Sequence, residues 1–408
     1  MTSIRTISIF TLTFGMMCFL TSCEAIFGSK HDKTAEEIFE QGKIDPNLIP
    51  NAVGYVPVLP VWNFFTNPVD VYVGYDELVY VIDDNGLNIL DQKGQRHNII
   101  AIPGAKEVVQ DRRLHTYVSG KVPVQIGGNT YQLAAVYHFI NTASGNPVII
   151  DTIIHPFSDV SRRSIPFRTE DVQVEFTGLA TRADNVLYVG RRGPVNSSAS
   201  AARPDNTVLF FDLAGTNIGY ANGLNPSSPS LKSALGIEGL ASFATPPQRL
   251  SGVSNSHDFL LTQTDPRQME FRVLWIREQF DPDAGTTYAE NTALLDMDTS
   301  KASGFLYESN KFTFPADVWV ATDAAGYIFV VDAAKDLLYQ FTSRGWEGVL
   351  PPPSSGINKY IKVSFGGKGN GPFQFNYPSG VCYFDRIVYV ADKGNDRIMR
   401  YTLNTDIE

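Results

Sequence analysis

Short runs of β-branched and aromatic residues, cut by Gly, Asp and Asn, recur along most of the chain. Near its end, residues 378–383 (Pro-Ser-Gly-Val-Cys-Tyr), 387–391 (Ile-Val-Tyr-Val-Ala) and 397–402 (Arg-Ile-Met-Arg-Tyr-Thr) predict three strands in succession, with a turn at Asp392-Lys-Gly-Asn-Asp396 between the last two. The same order appears in Pro68-Val-Asp-Val-Tyr-Val, Leu78-Val-Tyr-Val-Ile-Asp83, an Asp84-Asn-Gly86 turn and Leu87-Asn-Ile-Leu-Asp91. It appears again in Pro315-Ala-Asp-Val-Trp-Val, Gly326-Tyr-Ile-Phe-Val-Val-Asp332 and Leu337-Leu-Tyr-Gln-Phe341, and more weakly in residues 174–180, 185–190 and 207–212. The central strands fall near Tyr80, Tyr188, Phe329 and Tyr389. The gaps between them, 108, 141 and 60 residues, leave room for one further unit in each of the first two. Residues 114–119 with 132–139, and 258–263 with 271–276, have the pattern to fill them. Six repeated units are therefore expected.

Residues of this kind suit sheets buried on both faces, and a ring of such sheets leaves only short edges. Residues 51–62 read as an extended segment broken by Pro57 and Pro60, which confines it to a sheet edge. An edge strand from the start of the domain is what a ring needs to complete its last sheet. The fold expected is all-β, a six-bladed β-propeller over residues 51–408. The aspartates that end the second strand of three units, Asp83, Asp332 and Asp392, each precede a reversal. There a carboxylate accepts the backbone N–H two residues on, so they are expected to lock turns rather than to catalyse.

The stretch from Gly366 to Tyr401, with its Gly366-Gly-Lys-Gly-Asn-Gly371 loop, resembles one NHL repeat, and residues 315–341 and 68–91 are similar to it. The resemblance implies a six-bladed propeller used as a binding or scaffold surface. RNA-binding relatives carry a basic face, which this chain lacks, and amidating-lyase relatives carry channel histidines that have no match here. Bacterial lipoproteins with six-bladed propellers look nearest. The glycine run leads through Pro372 into a strand, so no helix dipole backs it as a phosphate loop.

The first residues differ in kind. One basic residue, Arg5, precedes an apolar run from Ile7 to Leu20, and small residues then lead to Cys23. Leu20-Thr-Ser-Cys23 resembles a bacterial lipobox, in which the cysteine becomes the lipidated first residue. Residues 1–22 are thus expected to be a lipoprotein signal peptide, and residues 23–50 a polar tether with a short helix capped at Thr34. The expected location is the cell envelope, on a membrane through the lipid. With Cys18 removed and Cys23 acylated, Cys382 stands alone and no internal disulfide forms.

Charge and scattered chemistry narrow the function without fixing it. A formal charge of -10 on 408 residues offers no field for nucleic acid. Six histidines, among them His115, His155 and His257, show no metal-binding spacing, and no nucleophile elbow or P-loop occurs in a strand-to-helix setting. No catalytic residue, metal or cofactor is assigned. Arginine pairs at 112–113, 162–163 and 191–192 stand out on an acidic chain. The last opens a long polar loop, residues 191–206, where Arg191, Arg192 and Arg203 are expected to grip a carboxylate, sulfate or phosphate at the rim. Closure entropy grows slowly with loop length, so this loop is expected to be removable without harm to the fold. A non-catalytic module binding an envelope protein, a glycan or a small ligand is the function expected; the alternative is a hydrolase or lyase with a metal in the central channel. If the anchor reading holds, Cys23→Ala removes fatty-acid labelling and leaves either a soluble body or an unprocessed precursor, because acyl chains supply the hold at about 0.8 kcal/mol per buried CH₂. Unchanged labelling and membrane fractionation would refute it.

Overall fold

The computed structural model describes residues 43–407 apart from 145, 198–201, 248–252, 269, 284 and 323–325. Cys23 and the capped segment at Thr34 lie outside the described residues. Ile49–Glu408 form one compact unit, and Met1–Leu48 a separate one of which the described part holds a single 3-10 turn, Pro46–Leu48. No helix among the described residues is long and apolar enough to cross a membrane.

Six four-stranded antiparallel sheets make up the larger unit. Blade 1 is Asp70–Val73, Val79–Asp83, Gly86–Leu90 and Arg96–Ile100. Blade 2 is Val108–Gln110, Thr116–Ile126, Asn129–Ile140 and Val148–Ile154; blade 3 is Glu175–Thr181, Leu187–Arg192, Thr207–Phe211 and Asn217–Tyr220. Blade 4 is Ile237–Ser242, Phe259–Gln263, Val273–Asp281 and Gly285–Glu290; blade 5 is Pro315–Val320, Ile328–Asp332, Leu337–Phe341 and Phe365–Gly366. Blade 6 supplies Pro378–Phe384, Ile387–Asp392 and Arg397–Leu403, and its fourth strand is Tyr55–Pro57 from the other end of the unit. Tyr55 lies opposite Leu403 and Pro57 opposite Tyr401. The ring is closed by that pairing, and Pro57 is tolerated because its strand is an edge. The fold is a six-bladed β-propeller.

Burial explains the composition. In blades 1, 5 and 6 the middle strands are buried nearly throughout, as in Val79–Asp83, Leu338 to Phe341 and Val388 to Asp392, because each sheet packs against a neighbour on both faces; those of blade 2 and the third strand of blade 4 run on past the core into solvent. The inner strands approach so closely that some positions admit only glycine: a Cβ on Gly380 would stand 2.8 Å from the Cα of Asp70, and one on Gly239 2.9 Å from the Cα of Asp317. Backbone and side-chain hydrogen bonds also cross between inner strands. Thr177 Oγ1 donates to the Ile237 carbonyl at 2.7 Å, and Ser379 Oγ to that of Pro68 at 3.0 Å.

The recurring aspartates bind more than their own turns. Asp83 accepts from the Asn85 N–H at 2.9 Å and from the Thr66 N–H at 3.1 Å; Asp332 accepts from the Ala334 and Lys335 N–H groups and, at 2.6 and 3.0 Å, from those of Thr313 and Phe314. Each carboxylate thus ties the turn to the loop that leads into its blade. Asp392 departs from the expected pattern. The N–H two residues on, that of Gly394, goes instead to the Asn376 carbonyl, and Asp392 holds the Asn376 N–H at 2.7 Å and the Arg397 Nε at 2.7 Å. Arg397 in turn donates to the carbonyls of Asn370, Gly371 and Gln374, so the glycine-rich loop is an acceptor for an internal cation. Asp332→Ala strands four backbone donors and should cost about 1–3 kcal/mol; Asp332→Asn, which keeps one acceptor oxygen, should cost less. Equal losses in urea unfolding of the two variants would argue against the carboxylate contacts.

Candidate functional site

In an up-and-down sheet ring, the start of every inner strand, the turn between second and third strands and the crossing to the next blade all lie at one end. At that end the channel is acidic. Asp70 opens the inner strand of blade 1, Glu107 immediately precedes that of blade 2, and Asp317 lies at the bulge in that of blade 5; one carboxylate oxygen of each lies within 4.8 Å of the others. Backbone donors fix two of them. Asp70 Oδ2 accepts the Val108 N–H of blade 2 at 2.8 Å, while Asp317 accepts the N–H of Val318 at 2.7 Å and of Val381 in blade 6 at 2.8 Å.

These three carboxylates form no ion pair among the described residues. The cations nearby are taken by other acids: Lys106 by Glu175 at 2.9 Å, and Arg192 by Glu175 at 2.6 Å and by Glu238. Burial pushes Asp70 up to about 7. Burial, then repulsion by Asp70, raises Glu107 and Asp317 well above the usual carboxylate range, and Glu238 adds to both. Charges so placed cannot all persist unless a cation or protons accompany them.

A second feature of the same channel lies one pleat away. Tyr72 and Trp319, two residues beyond Asp70 and Asp317, bring their rings to 5.3 Å edge-on although blade 6 stands between blades 1 and 5, so both occupy the channel side. Trp319 is 7% exposed and its indole N–H has no partner among the described residues. Farther along, Tyr75 reaches across the ring and donates to the Ala244 carbonyl of blade 4 at 3.0 Å, bridging the channel at its other end.

The sequence did not single out Asp70, Glu107 or Asp317, having looked for metal ligands among the histidines. Those do not converge. His115 Nδ1 lies 2.9 Å from His138 Nε2, His155 is held by Asp171 at 3.2 Å, and His257 pairs with Glu278 at 2.6 Å. A signal was available: Asp70 and Asp317 occupy the third position of Pro68-Val-Asp and Pro315-Ala-Asp, where the sister unit Pro378-Ser-Gly has glycine. A charged residue at a position set by close backbone approach marks a place where the repeat has been altered.

The arginines expected at the rim all have internal partners, and Arg191 is buried. Arg191 is 1% exposed; its guanidinium bonds Asp159 at 2.8 Å and the carbonyls of Pro204 at 2.8 Å and Asp205 at 3.1 Å, so it is a pillar beneath the loop and cannot grip a ligand. Arg192 turns to Glu175 and Glu238. Arg203 lies against the Tyr220 ring at 4.6 Å and 3.5 Å from Asp159. Arg162 is buried on Asp171, and Arg113 pairs with Asp111. Each of these five arginines has an internal carboxylate partner, which pattern alone cannot reveal.

No protein-family model matches the chain, and no curated protein matches it. Among solved structures it is similar to virginiamycin B lyase from Staphylococcus aureus, at 10% identity over 86% of this chain and 99% of that one with a TM-score of 0.40. It is similar also to a gluconolactonase from Xanthomonas campestris (10%, 88% and 94%, 0.46) and to a PQQ-bound aldose sugar dehydrogenase from Streptomyces coelicolor (10%, 87% and 100%, 0.44). At these values the likeness is one of fold and gives no residue a role.

The acid group makes stability depend on pH with a defined sign. Between the ordinary carboxylate pKa near 4 and about 7, folded Asp70 binds a proton that the unfolded chain has released, so stability falls as pH rises through that window. Asp171, buried, and Glu175, half-buried, are held low against that burial by His155, Arg162 and Lys106, and act oppositely and only below about 4.5. Metal-free protein should therefore show a melting temperature that declines from pH 4.5 to 7.5, and Asp317→Asn should flatten the decline. A flat profile for the unaltered chain would show that the three acids do not share a site.

Proposed function

We propose that the protein is anchored to an envelope membrane through acylated Cys23, as an NHL-type propeller, and that it works by binding a ligand at the acidic end of its channel through a divalent cation. The observation that carries this is the set of three carboxylates from three blades within 4.8 Å, two of them buried, with no cationic side chain among the described residues paired to any. An all-oxygen set of hard donors suits Ca²⁺, Mg²⁺ or Mn²⁺ rather than a metal preferring nitrogen or sulfur. The unpartnered Trp319 N–H beside it offers a donor to a ligand oxygen that reaches into the channel. A bound cation would take its remaining ligands from such oxygens, which favours carboxylate, lactone or polyol ligands.

Glu107 supports a second reading, a cation-dependent hydrolase or lyase. Its carboxylate makes no hydrogen bond to the described residues, unlike those of Asp70 and Asp317, which are fixed on backbone N–H groups. A free carboxylate beside a cation can take a proton from a bound ligand or water. The binding reading stands if the cation is held and no turnover follows.

Metal analysis after dialysis against Ca²⁺, Mg²⁺ and Mn²⁺ separately should find about one ion per chain. At 100 times the Kd that ion should add about 2.7 kcal/mol to stability. Glu107→Gln combined with Asp317→Asn should abolish the metal-induced shift while raising the stability of the metal-free protein, because the repulsion goes with the charges. A double variant that is less stable without metal, or an unaltered chain that gains nothing from any of the three ions, would sink the channel-cation reading.

A further inference from the structure

Two cavities at the same end of the ring lie outside the channel. One, of about 570 Å³, is bounded by Arg203, Tyr220 and Asn225; the other, of about 380 Å³, by Arg192, Asn206 and Gln173. Both are lined by Asn196, so they meet there and run along the junction of blades 3 and 4. Each has the size of a small-ligand site. Two such chambers in line suit a chain of similar units better than one compact molecule.

The lining states what kind of chain. Its arginines are already neutralised: Arg192 by Glu175 and Glu238, Arg203 by Asp159, and Arg267 by Asp265 at 2.7 Å. An anionic ligand would meet these carboxylates as well as the guanidinium groups, and so gains little. What the groove leaves open are neutral donors. Asn206 is 5% exposed and its Oδ1 accepts the Gly193 N–H at 3.1 Å, yet its Nδ2 has no partner among the described residues. Asn225 is half-buried, with Oδ1 taken by the N–H groups of Ser227 and Ser228 and with no partner for Nδ2 among the described residues. The half-buried Tyr220 hydroxyl and the exposed Gln173 amide also have no partners among the described residues. The Asn206 amide nitrogen reaches the cavity surface, so its hydrogens are available to an oxygen that enters.

We infer that this groove binds a neutral oligosaccharide, whose hydroxyl and ring oxygens accept from Asn206, Asn225, Gln173 and Tyr220. The assignment replaces the anionic ligand expected for this loop, since the arginines that suggested it are paired internally. It does not depend on the channel cation.

The test uses the full chain in EDTA, so that loss of a channel cation cannot be mistaken for loss of the groove. Titration calorimetry with maltohexaose, cellohexaose, xylohexaose and chitohexaose as its N-acetyl form, and with hexagalacturonate as the anionic member, should show heat with at least one neutral chain. Asn206→Asp with Asn225→Asp keeps both Oδ1 acceptors and removes both open donors, and should weaken that binding at least about tenfold. Tyr220→Phe, which keeps the ring under Arg203, should weaken it less and serves if the double variant does not fold. Binding of hexagalacturonate alone, binding of none of the neutral chains at millimolar concentration, or undiminished binding in both variants would each overturn the inference.

Discussion

Everything in the larger unit depends on one antiparallel pairing, Tyr55–Pro57 with Arg397–Leu403. The sole cysteine among the described residues, Cys382, is buried and free, so no covalent link replaces that pairing. Without it blade 6 would have three strands and two open ends of the ring would face water. Bridge contacts extend the seam from the strand itself to Trp62, which pairs with Ile398 and packs its ring against Tyr389. Because the inner strands touch closely enough to need Gly239 and Gly380, the ring has little room to relax; a defect at the seam is felt at the channel, where Gly380 meets Asp70.

Against that tightness the acid group stands out. Elsewhere this chain gives a buried charge an opposite partner, as in Arg162 with Asp171, Arg191 with Asp159, Lys311 with Glu347 and Arg397 with Asp392, or a set of backbone hydrogen bonds, as at Asp332. Asp70, Glu107 and Asp317 differ in lying against one another. Two of them do have a structural use, since Asp70 and Asp317 receive N–H groups from the next blade in the way that Thr177 and Ser379 contact theirs. An asparagine or threonine could serve that use at lower electrostatic cost. A fold that keeps a repulsive set in its most crowded region, with each member from a different blade, breaks local consistency at a single place, and such places are where function is to be sought.

The blades were legible because their signal is periodic and redundant. A strand misjudged by two residues in one unit, such as 68–73 against the observed Asp70–Val73, is corrected by its copies, and even the two faint units at 114–139 and 258–276 fell on real strands. The closing strand could be read from its prolines. What could not be read is convergence. Asp70, Glu107 and Asp317 are 37 and 210 residues apart in sequence, and nothing local distinguishes them from turn acids. Arg191 fails for the opposite reason: its neighbours in sequence are loop-like and polar, but the nearby Asp159 and the carbonyls that bury it come from a preceding 3-10 turn and from the far end of its own loop.

That last point changes what the long loop of blade 3 is. Taken as an insertion, it could be cut to a tight turn at the price of a little closure entropy. In the structure its far end supplies the Pro204 and Asp205 carbonyls to Arg191, its Asn206 caps the Gly193 N–H, and Asn196 Oδ1 returns to the Asn206 N–H at 2.8 Å. Removing it would leave a buried guanidinium with part of its hydrogen bonding gone, beside His155 and Asp159, and a charge in that state is strongly destabilising. The loop is held from below by the same arginine that seemed to point outward. A wall fixed in this way can keep Asn206 nearly buried with its amide hydrogens open, which a freely moving loop could not.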